Sequence, residues 1–154
     1  MKARTILASL GVLVASLALA SAADLNLGTW TLNESKSTFT PGMTKNTKVV
    51  YAAAGDMIKC SVDGVDKDGK ATHNDWTGKF DGKDYPLVGD PNADTRACTK
   101  VDDHTLTLVN KKGGKVVSTG KIVIAPDGRS RTLTASGTDA SGREMKTTAV
   151  YDKQ

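Results

Sequence analysis

The chain has few of the residues from which metal and redox sites are built: its 154 residues include only two cysteines and two histidines. Cys60 and Cys98 lie far apart with no histidine at ligand spacing, which argues against a zinc site. Aromatic residues make up 5% of the chain, and the formal net charge is +4. Without a dense basic stripe or interleaved aromatic residues, this composition does not predict nucleic-acid binding. We therefore expect no metal, no cofactor and no nucleic-acid partner.

Long hydrophobic runs are also missing, with the exception of residues 6–20. That run follows the basic residues Lys2 and Arg4 and precedes the small residues Ala20-Ser21-Ala22, a pattern typical of a secretory signal peptide. It is shorter than the roughly 20 residues that span a bilayer, and no stop-transfer segment follows. We predict a signal peptide at residues 1–22, with an uncleaved membrane anchor as the alternative. Residues 23–154 are then one periplasmic or secreted domain with no integral membrane segment.

Helix-period segments are absent after residue 22, and short β-favouring runs alternate with turn dipeptides instead. An Asp-Gly pair between such runs is typical of a tight hairpin with a type I′ turn, in which both central residues have positive φ. The turn dipeptides are Asp68-Gly69, Asp81-Gly82, Gly113-Gly114, Asp127-Gly128 and Ser141-Gly142. The pattern predicts ten strands, at residues 28–33, 45–54, 57–65, 71–80, 85–88, 95–101, 105–110, 116–125, 131–137 and 144–151. One helical turn is expected at residues 34–37, with Asn33 as its cap.

Ten short strands in one domain bury a common face in either a β-sandwich or a closed barrel. Hairpin connections throughout favour the barrel, whose closure also removes the exposed strand edges. We therefore predict an all-β fold, a single antiparallel up-and-down β-barrel of about 8–10 strands after a cleaved signal peptide. Period-two alternation predicts an inward set consisting of Trp30, Leu32, Ile58, Cys60, Val62, Trp76, Phe80, Leu106, Leu108, Ile122, Ile124, Leu133, Met145, Ala149 and Tyr151.

The two cysteines lie in a domain for which an oxidising compartment is predicted, where disulfide formation is favoured. Alternation places Cys60 on the inward face of its strand, whereas Cys98 is out of step with Ala97, an expected inward position. Two alternatives remain for this pair: a Cys60–Cys98 disulfide, or two thiols on opposite faces of the sheet.

The interior of such a barrel is wide enough to be filled by side chains or to hold one small ligand. Small residues at Ala97, Gly120, Ala135 and Ala149 leave space beside the large apolar ones. The sequence thus predicts a pocket that binds a small apolar molecule, lined by Ile58, Trp76, Phe80, Leu106 and Met145. The segment at residues 85–94 contains two prolines and leaves two alternatives: a rigid surface turn with an edge-protecting strand, or a loop that shapes a pocket mouth, with Asp90, Asn92 and Asp94 at its polar rim.

Catalytic motifs are missing, since neither a Gly-x-Ser-x-Gly elbow nor a Ser-x-x-Lys motif occurs. His73 and His104 fit solvated surface positions better than acid–base catalysis. We therefore expect no catalytic residues and no enzymatic activity. The alternative to a ligand-binding barrel is a non-enzymatic envelope or surface interaction module, inhibitor-like in kind, with a packed interior. The sequence does not specify an oligomeric state.

Three segments carry a resemblance to a known group of proteins: GTWTLNESKSTFTPG at residues 28–42, DGKDYPLVGDPNAD at residues 81–94 and VYDK at residues 150–153. Together they resemble small secreted bacterial lipocalin-like proteins of unassigned function, in the lipocalin and fatty-acid-binding-protein superfamily. The resemblance covers nearly all of residues 23–154 and implies a barrel that binds a small apolar molecule, with no catalytic residues. It also implies that Trp30 plugs the closed end beside Tyr151, with Lys153 or Arg143 across its ring.

Overall fold

The fold is described here by a computed structural model for residues 24–154, and the predicted signal peptide at residues 1–22 lies outside the described residues. No helix within this range has the length and apolar character needed to cross a membrane. The elements are β1 (Gly28–Leu32), a 3₁₀ helix (Glu34–Lys36), β2 (Thr38–Phe39), β3 (Lys45–Ala54), β4 (Met57–Val65), β5 (Ala71–Gly78), β6 (Asp81–Val88), β7 (Thr95–Lys100), β8 (Thr105–Lys112), β9 (Lys115–Ile124), β10 (Ser130–Thr138) and β11 (Glu144–Lys153).

The strands form one closed antiparallel barrel. Strands β3 to β11 pair in chain order, and β1 pairs with both β3 and β11, which closes the sheet. The short strand β2 also pairs with β11, with Phe39 opposite Thr147. Because β1 and β2 are two parts of one barrel strand, separated by the 3₁₀ helix, the barrel has ten strand positions. The predicted up-and-down β-barrel is confirmed.

All ten predicted runs overlap strands, but the start of β6 differs from the prediction. The strand begins at Asp81, where a turn was predicted, and its register with β7 shifts between Asp81 and Asp84. Gly82 has a φ of 77°. The Asp81-Gly82 pair therefore lies in an irregular strand start, and the chain reverses just before it, at residues 79–80.

The Asp-Gly turns are not the predicted type I′ turns, because no non-glycine residue among those described has positive φ. In the two-residue β8–β9 turn, by contrast, both Gly113 and Gly114 have positive φ, at 54° and 78°. In the β4–β5 turn only Gly69 is left-handed, with a φ of 78°, and its N–H donates to the carbonyl of Asp66. The Asp66 Oδ1 atom accepts the backbone N–H groups of Asp68 at 2.8 Å and Lys70 at 2.9 Å. This arrangement matches a type I turn followed by a left-handed glycine.

The predicted helical turn is present as the 3₁₀ helix, but the side chain of Asn33 makes no capping hydrogen bond. Its Nδ2 instead donates to Asp152 Oδ2 at 2.8 Å. The side chain therefore ties the start of the helix to the end of β11, which is the neighbouring barrel strand.

Apolar residues fill the barrel most tightly at one end. This closed end lies where β1 begins and β11 ends; the opposite, open end carries the loops at residues 40–44, 66–70, 89–94 and 139–143. The predicted inward set is confirmed. One core cluster buries Trp30, Cys60, Val62, Trp76, Leu106, Ile122, Ile124, Ala149 and Tyr151. Packed against this cluster are Leu32, Ile58, Phe80, Leu108 and Leu133, and the interior cavity is lined by Met145.

Candidate functional site

Trp30 closes the floor of the barrel. Its side chain is 0% exposed, and its Nε1 donates to the carbonyl of Asn26 at 2.8 Å. Lys153 is the register partner of Trp30 on β11, and its Nζ lies 5.0 Å from the ring centroid while donating to the carbonyl of Leu25. The expected contact between Trp30 and Lys153 is therefore confirmed.

The alternative prediction, that Arg143 lies across the ring of Trp30, is wrong. Arg143 lies in the β10–β11 loop at the open end, where it forms an ion pair with Asp139. The position beside Trp30 is instead occupied by Arg131, whose Cζ lies 4.7 Å from the ring centroid. Arg131 lies two residues before Leu133 on β10, so alternation places both side chains on the inward face. Only apolar or small residues are expected on that face from the sequence, and Arg131 is therefore not among the predicted inward positions.

Arg131 is a buried cation in an aromatic setting. It is 3% exposed, and its Cζ lies 5.1 Å from the ring centroids of both Tyr51 and Tyr151. Its Nε and Nη1 are buried without a hydrogen-bond partner within residues 24–154. The faces of the surrounding rings attract the guanidinium charge electrostatically. The floor of the barrel therefore carries a positive charge, and two nitrogens of that guanidinium have no hydrogen-bond partner among the described residues.

Burial keeps both tyrosines of this floor neutral. It raises the pKa of Tyr151 to about 12, and it raises the pKa of Tyr51 still further above the ordinary value. Arg131 acts in the opposite direction on both groups, because a nearby cation favours the phenolate. Neither tyrosine is therefore suited to act as a base near neutral pH.

A cavity of about 560 Å³ extends from this floor to the open end. Its volume falls within the roughly 300–1,000 Å³ range of small-molecule sites. The apolar part of the wall consists of Val49, Val62, Leu108, Val117, Ile122, Leu133, Ala135, Met145 and Ala149. This wall offers an apolar molecule aliphatic side chains against which it can pack.

A polar row crosses the other part of the wall, on strands β7 to β9. Arg96 donates from Nε to Asn110 Oδ1 at 2.8 Å, and Asn110 donates from Nδ2 to Ser118 Oγ at 2.9 Å. On the adjacent wall, the Oδ1 of Asn74 is buried without a hydrogen-bond partner among the described residues. The cavity therefore combines an apolar surface with polar groups that a ligand can contact.

Loops of the open end form the mouth of the cavity. Residues 42–44, 66–67 and 89–92 line it together with Asp139 and Arg143. The predicted mouth loop is thus at the cavity, with Asp90 and Asn92 in the lining, whereas Asp94 is outside it. The acidic residues that line the cavity, Asp66, Asp90 and Asp139, all belong to these loops.

The five predicted site residues do not lie together in the cavity lining. Met145 lines the cavity, whereas Ile58, Trp76, Phe80 and Leu106 lie outside its lining. Trp76 is 1% exposed and stacks on Phe80, with ring centroids 6.1 Å apart and an interplanar angle of 6°. These four residues belong to the packed closed end of the barrel. The pocket expected beside Trp76 is therefore displaced towards the open end.

Cys60 and Cys98 are both free thiols, and both are buried in the same core cluster. Neither alternative for this pair is found: the two cysteines form no disulfide, and Cys98 does not face away from Cys60, because Arg96 and Cys98 point inward while Ala97 lies outside the core cluster. Burial raises the pKa of Cys60 and raises that of Cys98 to about 12. Both thiols therefore remain protonated near neutral pH and are poor nucleophiles.

His73 lies on the barrel exterior, between two carboxylates. Its Nδ1 is 2.7 Å from Asp63 Oδ1, and its Nε2 is 3.2 Å from Asp75 Oδ2. Ser61 Oγ donates a short hydrogen bond to Asp75. The bonds to Asp63 and Asp75 raise the pKa of the imidazole and favour its charged form. This exposed cluster links β4 and β5 by electrostatic attraction.

Within the described residues, no group of acidic, histidine and cysteine side chains is arranged to hold a metal ion.

No protein-family model matches the chain, and a comparison with curated proteins finds no match. Solved structures do match. One is described as a redesigned beta barrel, mFAP1, bound to DFHBI, at 16% identity and a TM-score of 0.47, covering 84% of this chain and 95% of that chain. Another is EF1p2_mFAP2b bound to DFHBI, at 14% identity and a TM-score of 0.52, covering 86% of this chain and 97% of that chain. The second likeness shows a shared fold, and the chain is a closed antiparallel β-barrel with an internal cavity.

Proposed function

We propose that this barrel binds a small, predominantly apolar molecule in its interior and does so without catalysing a reaction. The observation that carries the proposal is the cavity of about 560 Å³, which is lined by aliphatic side chains and reaches the loops of the open end. A well-formed apolar pocket with a few polar groups is the usual architecture of a small-molecule site.

The EF1p2_mFAP2b barrel, whose fold the chain shares, is itself described as bound to the small molecule DFHBI. That observation is consistent with the proposal, although the low identity means that only the fold is shared. The alternative function, an envelope or surface interaction module, required a packed interior. The cavity favours the ligand-binding proposal over that alternative.

We further propose that the protein is exported from the cytoplasm and that it is related to small secreted bacterial lipocalin-like proteins. The signal-like segment at residues 1–22 supports export to the periplasm or the cell exterior. The GTWTLN, GKDYPL and VYDK segments support membership of the small secreted bacterial lipocalin-like proteins. N-terminal sequencing of protein from the periplasm or the medium should return Ala23 or Asp24, and recovery of Met1 there would contradict the export proposal.

Binding is tested by titration with a neutral apolar dye, N-phenyl-1-naphthylamine, whose own fluorescence reports transfer out of water. We expect saturable binding at one site per chain. Trp30 and Trp76 are packed at the closed end and do not line the cavity, so dye fluorescence is a better reporter than tryptophan fluorescence.

A matched pair of variants locates the dye. Ala135 points into the cavity from β10, whereas its neighbour Thr134 is exposed on the outer face. Ala135→Phe should weaken binding by about tenfold or more by filling the cavity, and Thr134→Phe should leave it unchanged. If Ala135→Phe binds the dye as tightly as Thr134→Phe does, the dye is bound on the surface and an interior site loses its support.

A further inference from the structure

The β8–β9 hairpin ends in a basic tip, which consists of residues 111–115 with the sequence Lys-Lys-Gly-Gly-Lys. Lys112 and Lys115 are register partners across the hairpin. Like charges directly opposite each other on two strands are destabilising. Both lysines are exposed, and neither forms an ion pair within residues 24–154. Their charges therefore do not stabilise the hairpin and are available to a group outside the chain.

The basic tip keeps a positive charge in spite of two nearby carboxylates. Lys111 Nζ forms an ion pair with Asp84 at 2.7 Å, and Asp94 Oδ2 accepts the N–H of Gly113 at 2.9 Å. Three lysines thus stand against two carboxylates. The surrounding strands add no further acid, because the residues of β7 to β10 include no aspartate or glutamate.

The basic tip lies at the open end of the barrel, where β8 ends and β9 begins. It is joined to the mouth loop at residues 89–94, because Asp94 donates its N–H to the carbonyl of Lys111 at 2.9 Å. A Cβ atom placed on Gly113 or Gly114 would have no neighbour within 4 Å, so the tip projects into solvent. The two glycines and Lys115 lie outside the cavity lining. The tip is therefore a surface feature beside the cavity mouth.

Two exposed valines lie at the same end of the barrel. Val116 follows the basic tip on β9 and is 57% exposed, and Val88 is the last residue of β6 and is 67% exposed. Binding to a membrane surface gains both from apolar contact and from attraction to anionic lipid headgroups. A dissolved polyanion offers only the second of these. The combination of free lysines and exposed valines therefore favours a lipid surface as the partner.

We propose that the basic tip docks the barrel on a membrane surface that contains anionic phospholipids, with Lys112 and Lys115 at the lipid phosphate groups. Val116 and Val88 then face the apolar boundary of the bilayer. A barrel held in this way presents its open end to the membrane, so an apolar molecule can pass between bilayer and cavity with little exposure to water. The docking goes beyond ligand binding, because it needs no ligand in the cavity.

Co-sedimentation with lipid vesicles tests the docking. One set of vesicles consists of phosphatidylcholine alone, and the other is an equal mixture of phosphatidylcholine and phosphatidylglycerol. Residues 1–23 are omitted from the protein, because their apolar run would bind vesicles by itself. We expect binding to the mixed vesicles to be about tenfold tighter than binding to the neutral ones. Added salt should reduce this difference, since it screens the attraction between exposed charges.

Substitutions on β9 show whether the basic tip makes the contact. Lys115→Gln should weaken binding to the mixed vesicles about fivefold, and the double variant with Lys112→Gln about tenfold or more. Lys121→Gln is the matched control, because it removes the same charge from an exposed lysine of the same strand. Lys121 lies six residues beyond Lys115, about 20 Å along the strand, so this control should change binding by less than about twofold. Circular dichroism should show that all of these variants are folded, since each replaced side chain is exposed.

Equal losses for Lys115→Gln and Lys121→Gln would overturn docking by the tip, because the overall charge of the protein would then explain the binding. Equal binding to the two kinds of vesicle, or binding to neither, would also overturn it. Soluble polyphosphate should bind less tightly than the mixed vesicles, and equally tight binding would indicate a general polyanion site in place of a membrane contact. Dye titration of the cavity tests the proposed ligand binding separately, so failure of the docking is distinguishable from failure of that function.

Discussion

The guanidinium carbon of Arg131 lies 4.7 Å from the ring centroid of Trp30, at the floor of the barrel. Trp30 comes from β1 and Arg131 from β10, so the contact passes across the strand β11 that lies between them. The tryptophan ring thus has two functions in the fold. It fills the closed end, and it provides part of the electrostatic environment for a cation that has no carboxylate partner within residues 24–154.

Loss of the Trp30 side chain should be among the most destabilising single changes in the protein. Trp30→Ala should lower the free energy of unfolding by about 3–5 kcal/mol, because a fully buried indole is removed and a cavity is left behind. Denaturant unfolding monitored by circular dichroism measures the change. Val116→Ala is the control, since Val116 is 57% exposed and should cost less than about 0.5 kcal/mol. A cost below about 1 kcal/mol for Trp30→Ala would contradict its place at the floor.

Alkaline pH should destabilise the barrel through its buried tyrosines. The folded-state pKa of Tyr151 is raised to about 12 from 10.0, so its stabilising effect is complete below pH 10 and is lost as the pH rises towards 12. The free energy of unfolding should therefore fall over this interval. Tyr151→Phe should lower stability at neutral pH, because the hydrogen bond to the carbonyl of Asn46 is lost, and should make the alkaline decline shallower. An unchanged decline in the variant would show that other groups cause it.

His73 should titrate above its ordinary pKa of 6.5, because Asp63 and Asp75 stabilise the imidazolium. NMR titration of the imidazole resonances measures this directly, and Asp63→Asn should move the pKa back towards 6.5. The contribution to stability is complete below pH 6.5 and is lost as the pH rises through the folded-state pKa. The stability difference between the unsubstituted protein and Asp63→Asn should therefore be larger at pH 5.5 than at pH 8.5. A His73 pKa that does not respond to Asp63→Asn would mean that this ion pair does not form in solution.

The two cysteines should be unreactive in the folded protein. Both thiols are buried, and their pKa values are raised by burial. Ellman's reagent at pH 8 should detect almost no thiol in the native protein and two per chain after unfolding in guanidinium chloride. Rapid labelling of the native protein would indicate an opening of the interior that exposes Cys60. Absence of thiols from unfolded, unreduced protein would show that Cys60 and Cys98 are joined.

Turn chemistry and alternation were sufficient to predict the barrel. Dipeptides such as Asp68-Gly69 and Gly113-Gly114 mark where β-hairpins reverse, and period-two alternation identifies the inward faces. The same signals misplaced the start of β6, because Asp81-Gly82 occupies an irregular strand start instead of a turn. The Asp-Gly dipeptide alone does not distinguish a hairpin turn from an irregular strand start, because both positions require a glycine with positive φ.

The position of the cavity was not predictable in the same way. Alternation determines whether a side chain points inward, but not how far along the barrel axis it lies. That height depends on the register of each strand with its neighbours, and register places Trp76 and Phe80 in the packed closed end and Met145 near the open end. Arg96 and Arg131 are not predictable as wall residues for a different reason. Charged residues seldom line a barrel interior without partners, so alternation of apolar residues does not identify them.

The separation of a packed end from an open end has a consequence for how such a barrel can change over time. Substitutions in the loops at residues 40–44, 66–70 and 89–94 alter the entrance and leave the contacts of Trp30, Trp76 and Ile124 intact. Loop residues tolerate replacement and insertion far better than core residues do. The entrance can therefore change with little effect on folding, so that one stable barrel is able to carry a succession of different entrances.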